Sequence, residues 1–175
     1  RLAPEYKFPT PLHDAFDAFV WVKKHLKELH ALDEVSVAGD SAGGNLAIGV
    51  SQLAATTPYD VKSQILLYPV TQLSFDTPSY TTYGSGYGLD RDVMQWFGEH
   101  YIESDEQALH PLVSPLLADA TKFPKSFIVA AQYDVLYDEI VGFSKKLQKH
   151  QVDVTVIEAK GLVHSYFTNN DLFGY

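Results

Sequence analysis

Residues 39–44 read Gly-Asp-Ser-Ala-Gly-Gly, and they join two stretches with different hydrophobic patterns. The stretch before them, 34–38, has the composition of a short strand, and the stretch after them has apolar residues at helical spacing. A Gly-x-Ser-x-Gly pattern in a strand-to-helix turn is typical of a strained serine whose hydroxyl is exposed for nucleophilic attack. We expect glycine at Gly39 and Gly43 because side chains there would collide with neighbouring backbone. Ser41 is therefore the candidate nucleophile.

The rest of the chain alternates between helical and strand patterns. Apolar residues three and four apart predict a helix over 10–29, and short apolar runs predict buried strands at 63–69 and 126–131. A further helix over 140–149 is followed by an alternating strand at 152–157. Strands that alternate with helices predict the α/β class, with a mainly parallel sheet and helices on both faces.

One long stretch interrupts this alternation. Residues 70–89 are rich in serine, threonine, tyrosine and glycine and are predicted as a loop, and Asp90 is a candidate cap for a helix that follows. We interpret 74–117 as a cap-like excursion within a single domain that spans 1–175.

Composition excludes several classes of function. The chain has 175 residues with 46% hydrophobic and 20% charged side chains, which indicates a globular domain. Its net charge of −9 argues against nucleic acid and anionic membranes as partners. Without cysteine there is no disulfide or thiolate metal site, and the histidine spacing fits no zinc protease. We predict no metal, no cofactor, no membrane span and a cytoplasmic location.

A serine nucleophile needs a base and an acid that orients the base. Asp134 comes just after the strand at 126–131, and His164 comes just after the strand at 152–157. Loops after parallel strands meet at one edge of the sheet, so these side chains can converge on Ser41. Asp138 and Glu139 are alternative acids, although they fall where a helix start would attract acidic residues anyway.

Four motifs occur in an order that resembles one known family. They are Arg1-Leu2-Ala3-Pro4-Glu5, the GDSAGG segment, Tyr133-Asp134-Val135-Leu136-Tyr137-Asp138-Glu139 and Gly161-Leu162-Val163-His164. Together they resemble the hormone-sensitive lipase family of α/β-hydrolases over nearly the whole chain. The resemblance implies hydrolysis of short-acyl carboxylic esters, with Ser41, Asp134 and His164 as the catalytic triad. Val135 and Tyr137 depart from the family, which usually has proline and arginine there.

The resemblance also implies an oxyanion site with two parts. The family's His-Gly-Gly-Gly motif lies upstream of the segment that matches residues 1–5, and nothing in the 175 residues replaces it. We expect the N–H of Ala42 to donate to the oxyanion together with upstream glycine N–H groups. We also expect the outer edge of the strand at 34–38 to lie open, to be covered by a preceding segment of the same fold or by a second copy in a homodimer.

Seven residues are predicted to line the substrate pocket beside the triad: Asp40, Met94, Trp96, Phe97, Tyr101, Leu136 and Val163. For the four on the helix after Asp90, packing against the sheet explains the apolar pattern equally well. The expected ligand is a small-molecule ester.

Two other functions are compatible with the same fold. A non-catalytic small-molecule receptor is one, as in the plant gibberellin receptors, which resemble the family but lack a working histidine. An amidase or peptidase is the other, because it shares the triad. The presence of His164 favours an enzyme over a receptor.

Overall fold

The computed structural model describes residues 1–169. Its strands are β1 (Val37–Asp40), β2 (Ser63–Leu67), β3 (Lys125–Tyr133) and β4 (Val154–Val163). Its α-helices are α1 (Thr10–Lys24), α2 (Ser41–Ala54), α3 (Pro78–Thr82), α4 (Arg91–Tyr101) and α5 (Tyr137–Lys149). Short 3₁₀ turns occupy Asp105–Leu109, Pro115–Leu117 and Ala120–Lys122.

The four strands form one parallel sheet in the order β1-β2-β3-β4. The predicted parallel α/β architecture is therefore confirmed. Within residues 1–169, β1 pairs with β2 alone, so its other edge has no strand partner there. The strand begins at Val37, where pairing with Gln64 begins, and not at the predicted residue 34.

Helices α2 and α5, which connect neighbouring strands, lie on one face of the sheet. Each crossover moves one strand further in the same direction, and right-handed crossovers in one direction place their helices on the same side. Leu66 and Ile128 face that side and share a core cluster with Ile48 of α2 and Phe143 of α5. Ile65 points to the opposite face and is 41% exposed. Within residues 1–169, α2 and α5 thus cover the same face of the sheet.

Helix α1 packs on α2. Leu12 is buried with Val50 in a second core cluster, and the two helices approach closely at Gly49, where an added Cβ would lie 2.6 Å from a Leu12 methyl group. The predicted extension of α1 to Leu29 is wrong. The helix ends at Lys24, and Leu29 beyond it is half exposed.

The predicted loop at 70–89 contains α3, which is anchored from outside the loop. The backbone N–H of Ser79 donates to Asp138 Oδ2 at 2.7 Å, and the Ser79 hydroxyl donates to the carbonyl of Val135 at 2.6 Å. Asp90 precedes α4 as expected, but its carboxylate accepts from the N–H of Gly86 and forms no bond to the first helical turn. Within residues 1–169, no helix is both long enough and apolar enough to cross a membrane.

Candidate active site

The turn from β1 to α2 holds Ser41 in a left-handed backbone conformation, with φ of 52°. This conformation is costly for a residue with a side chain and is typical of functional turns. Gly39 makes the turn possible, because an added Cβ would lie only 2.2 Å from the carbonyl oxygen of Gly43. The backbone of α2 therefore packs directly on the end of β1.

The second glycine that the turn needs is Gly44, and not Gly43 as the sequence predicted. A Cβ on Gly44 would lie 2.7 Å from the Cβ of Pro69, which follows β2. A Cβ on Gly43 would meet only Asp40 Oδ1, at an ordinary contact distance of 3.8 Å. The glycine pair at 43–44 was visible in the sequence, but which of the two approaches a neighbour depends on the position of β2.

Three side chains form a continuous hydrogen-bonded chain at the carboxyl edge of the sheet. His164 Nε2 lies 2.9 Å from Ser41 Oγ, and His164 Nδ1 lies 2.7 Å from Asp134 Oδ2. Asp134 and His164 are 1% and 7% exposed, so little water competes for these bonds. With its carboxylate partner on Nδ1, the imidazole carries its proton there and offers the Nε2 lone pair to the serine hydroxyl.

The loop after β3 and a ring contact hold this arrangement in place. The N–H of Leu136 donates to Asp134 Oδ1 at 2.9 Å, which leaves Oδ2 for the histidine. The ring of Tyr68, which is fully buried after β2, packs on the imidazole with ring centres 4.8 Å apart. Sequence analysis gave no sign of the Tyr68 contact.

His164 reaches the serine because β4 contains an irregularity. Ala131 of β3 pairs with Ala159, but Tyr133 pairs with Val163, so β4 has extra residues between these pairs. Gly161 has φ of 74° and donates its N–H to the side chain of Gln132 at 2.7 Å. The strand therefore runs past its predicted end at residue 157, and His164 follows it directly.

The two alternative acids serve other parts of the molecule. Asp138 accepts from α3, as described above, and Glu139 accepts from the backbone N–H groups of Thr71 and Gln72 at 2.7 and 3.0 Å. Glu139 is fully buried, and this burial raises its pKa to about 8. Neither carboxylate bonds to His164 within residues 1–169. In the same range no three histidine or acidic side chains come together as a metal site.

A cavity of about 690 Å³ opens beside Ser41. Four of the predicted pocket residues line it: Asp40, Met94, Phe97 and Tyr101. The oxyanion candidate Ala42 lines it as well. Helix α4 of the predicted excursion thus forms one wall of the cavity.

Three other predicted pocket residues lie elsewhere. Trp96 is half exposed on the outer side of α4 and packs on His100, with ring centres 4.1 Å apart. Leu136 is fully buried in the core, where its backbone N–H holds Asp134. Val163 ends β4 and is absent from the cavity lining. Helical spacing cannot tell which side of α4 faces the cavity, because both sides carry apolar residues.

Several lining residues were missed because they come from distant parts of the chain. The first residues contribute Leu2 and Ala3, and the loop after β2 contributes Leu73. Asn45 lines the cavity but is fixed by hydrogen bonds from its amide to the carbonyls of Val70 and Val113, both at 2.9 Å. No local pattern marks these residues as neighbours.

Comparison with known families agrees with this geometry. A family described as "alpha/beta hydrolase fold" matches residues 1–168. The chain belongs to this family. Its motifs and its esterase relatives place it with the hormone-sensitive lipase type of α/β-hydrolase, as the sequence indicated.

Named relatives are esterases. An arylesterase of Saccharolobus solfataricus is 35% identical over 95% of this chain, and an ethyl acetate hydrolase of Pseudomonas putida is 35% identical over 95%. The matches cover 55% and 54% of those proteins, so the chain spans about half the length of the curated relatives it matches.

Solved structures of esterases share the fold. A thermostable carboxylesterase cloned from a metagenomic library is 40% identical with a TM-score of 0.91, covering 95% of this chain and 58% of that one. The hyperthermophilic esterase of Pyrobaculum calidifontis is 36% identical with a TM-score of 0.91, covering 95% and 56%.

Proposed function

We propose that the protein is a serine carboxylesterase that hydrolyses short-acyl esters through Ser41, His164 and Asp134. The observation that carries this proposal is the hydrogen-bonded chain from Ser41 Oγ through both imidazole nitrogens to Asp134. A receptor that only binds its ligand needs no base within hydrogen-bond distance of the serine. The contact between Nε2 and Oγ therefore favours hydrolysis over binding alone.

The first half of the proposed reaction forms an acyl-enzyme. His164 Nε2 takes the proton of Ser41 while Oγ attacks the ester carbonyl, and the imidazolium that results is stabilised by Asp134. The imidazolium then gives the proton to the leaving alcohol, and the carbon–oxygen bond of the ester breaks. In the second half, His164 takes a proton from water as the water oxygen attacks the acyl-enzyme. The bond between the acyl carbon and Ser41 Oγ then breaks, the carboxylic acid leaves, and the imidazolium returns the proton to Oγ.

The start of α2 supplies the charge stabilisation that this proposal needs. The first N–H groups of a helix have no partner within the helix, and the positive end of its dipole favours an oxyanion. Ala42 is the second residue of α2 and lines the cavity, so its N–H is the proposed donor. The upstream glycine donors implied by the family stay a prediction, as do the homodimer and the cytoplasmic location.

The walls of the cavity support the choice of an apolar acyl group. Its walls carry apolar side chains from α4, from the loop after β2 and from the first residues of the chain: Leu2, Leu73, Leu89, Val93, Met94 and Phe97. The arylesterase and the ethyl acetate hydrolase among the relatives are named for ester substrates.

Hydrolysis of 4-nitrophenyl acetate, butyrate and decanoate by the purified protein tests this function. We expect turnover of acetate and butyrate that exceeds turnover of decanoate, loss of activity with a serine-directed phosphonate, and covalent labelling of Ser41. The Ser41→Ala variant should fold, because alanine is smaller, and should lose at least a thousandfold in kcat. Activity of Ser41→Ala within tenfold of the parent would refute the proposal. Cleavage of amides at a comparable rate would instead indicate the amidase alternative.

A further inference from the structure

The lining of the cavity beside Ser41 is negatively charged at one point and carries no balancing cation. Among residues 1–169, the lining contains one carboxylate, Asp40, and neither lysine nor arginine. Its other ionisable groups are Tyr101 and His164. Most of the remaining wall is aliphatic or aromatic, so Asp40, next to the start of α2, carries the one formal negative charge of the lining within residues 1–169.

The position of Asp40 is set by the turn that carries the nucleophile. It is the last residue of β1 and directly precedes Ser41. Its Oδ1 atom lies 3.8 Å from the place where a Cβ on Gly43 would be, and Gly43 also lines the cavity. The absence of a side chain at Gly43 thus leaves the carboxylate uncovered on the cavity side.

The Asp40 carboxylate is not neutralised by its neighbours. It forms no capping hydrogen bond with the first turn of α2, and none of the ion pairs within residues 1–169 includes it. Two other polar side chains of the lining are already engaged, since both nitrogens of His164 and the amide of Asn45 have partners. Neither side chain therefore compensates an anionic ligand.

On the basis of the proposed ester hydrolysis, we infer that Asp40 makes the protein select against acyl groups that carry a negative charge and in favour of neutral or cationic ones. A charge in a partly desolvated cavity acts through a lower effective dielectric than one in water, so repulsion over several ångströms is substantial. The net charge of −9 acts in the same direction at long range.

Three 4-nitrophenyl esters of similar length test this inference: the pentanoate, which is neutral, the hydrogen glutarate, which is anionic, and the 4-(trimethylammonio)butanoate, which is cationic. We expect the parent protein to show kcat/KM for the hydrogen glutarate at least tenfold below that for the pentanoate. In Asp40→Asn, the ratio of hydrogen glutarate to pentanoate should rise about tenfold, equivalent to about 1.4 kcal/mol. The ratio of the cationic ester to the pentanoate should fall in the same variant.

Opposite shifts for the two charged esters separate electrostatics from shape, because a change in cavity shape moves both ratios in the same direction. Asparagine is nearly isosteric with aspartate and is as good at a helix N-cap, so Asp40→Asn should fold. Asp17→Asn removes the same charge from an exposed position on α1 that does not line the cavity, and it should leave both ratios unchanged.

Two results would overturn the inference while leaving the proposed esterase intact. One is a parent protein that hydrolyses the neutral and anionic esters equally well, which needs no variant to observe. The other is an Asp40→Asn variant in which both charged esters shift together, or in which Asp17→Asn shifts them as much. Failure to hydrolyse any of the three esters would refute the proposed function and this inference with it.

Discussion

The two parts of the molecule that meet at the hydrogen bond between Ser41 and His164 are built in different ways. The turn that carries Ser41 is held by backbone sterics, since Gly39 and Gly44 have no room for a side chain. The part that carries Asp134 and His164 is held by hydrogen bonds between side chains and backbone. The side chain of Gln132 accepts from the N–H of Gly161, and Glu139 accepts from the loop after β2. The contact at Gly39 is local in sequence, whereas the contact of Gly44 with Pro69 and the side-chain hydrogen bonds join segments far apart. Substitutions in the two parts should therefore disrupt the two kinds of support separately.

Removing the charge of Asp134 should have the largest effect on activity. In Asp134→Asn the amide would favour the wrong tautomer of His164, so kcat should fall by about 10⁴ with little loss of stability. Steady-state hydrolysis of 4-nitrophenyl acetate measures this change. Asp138→Asn is the matched control, because an asparagine oxygen can still accept from the N–H of Ser79. A greater loss in Asp138→Asn would mean that the acid is assigned wrongly.

Adding a methyl group at Gly39 should have the largest effect on stability. The new Cβ would lie 2.2 Å from a backbone oxygen that cannot move away cheaply, so Gly39→Ala should lose roughly 4 kcal/mol or fail to fold. Gly43→Ala has room and should retain stability to within about 1 kcal/mol. Urea unfolding followed by circular dichroism compares the two. Equal losses would show that the packing of α2 on β1 does not control the turn.

Glu139 should make stability depend on pH. Burial raises the pKa of Glu139 to about 8, above the value of about 4.3 for an unfolded chain. Between these values the folded protein holds a proton that the unfolded chain releases, so stability should fall as the pH rises from about 4.3 to about 8. Each pKa unit of separation corresponds to about 1.4 kcal/mol.

The Glu139→Gln variant isolates this contribution. Glutamine cannot ionise but can still accept from the N–H of Thr71, so the variant should lose less stability than the parent between pH 5 and pH 8. Urea unfolding of both proteins at the two pH values gives the comparison. An identical pH dependence in the two proteins would exclude Glu139 as its source.

A side chain at Gly161 should have the smallest effect on stability and activity. Its φ of 74° disfavours a side chain although nothing lies within 4 Å, so Gly161→Ala should cost about 1 kcal/mol. Because Gly161 shapes the end of β4, kcat should also fall severalfold. Gly86→Ala is the control, with φ of 83° and equally open surroundings at a residue that is itself absent from the cavity lining. Gly86→Ala should lose the same amount of stability without the loss of kcat. An equal loss of kcat in Gly86→Ala would show that Gly161 has no special role in activity.

Sequence patterns were sufficient for the features that depend on neighbours along the chain. The alternation of strands and helices predicted a parallel α/β sheet, and the order of the motifs predicted that Ser41, Asp134 and His164 share one edge. Parallel strands bring their carboxyl ends together whatever the exact register. Position in the sequence also distinguishes Asp134 from the alternative acids Asp138 and Glu139, since these two lie a helical turn further on.

The remaining features required tertiary structure, because they depend on which distant segments meet. The order of strands in the sheet decided that α2 and α5 lie on the same face, and the position of Pro69 decided that Gly44 is the second required glycine. The side of α4 that faces the cavity decided that Phe97 lines it and Trp96 does not. Hydrophobic periodicity shows that a residue is suited to burial, but packing partners determine what it is buried against.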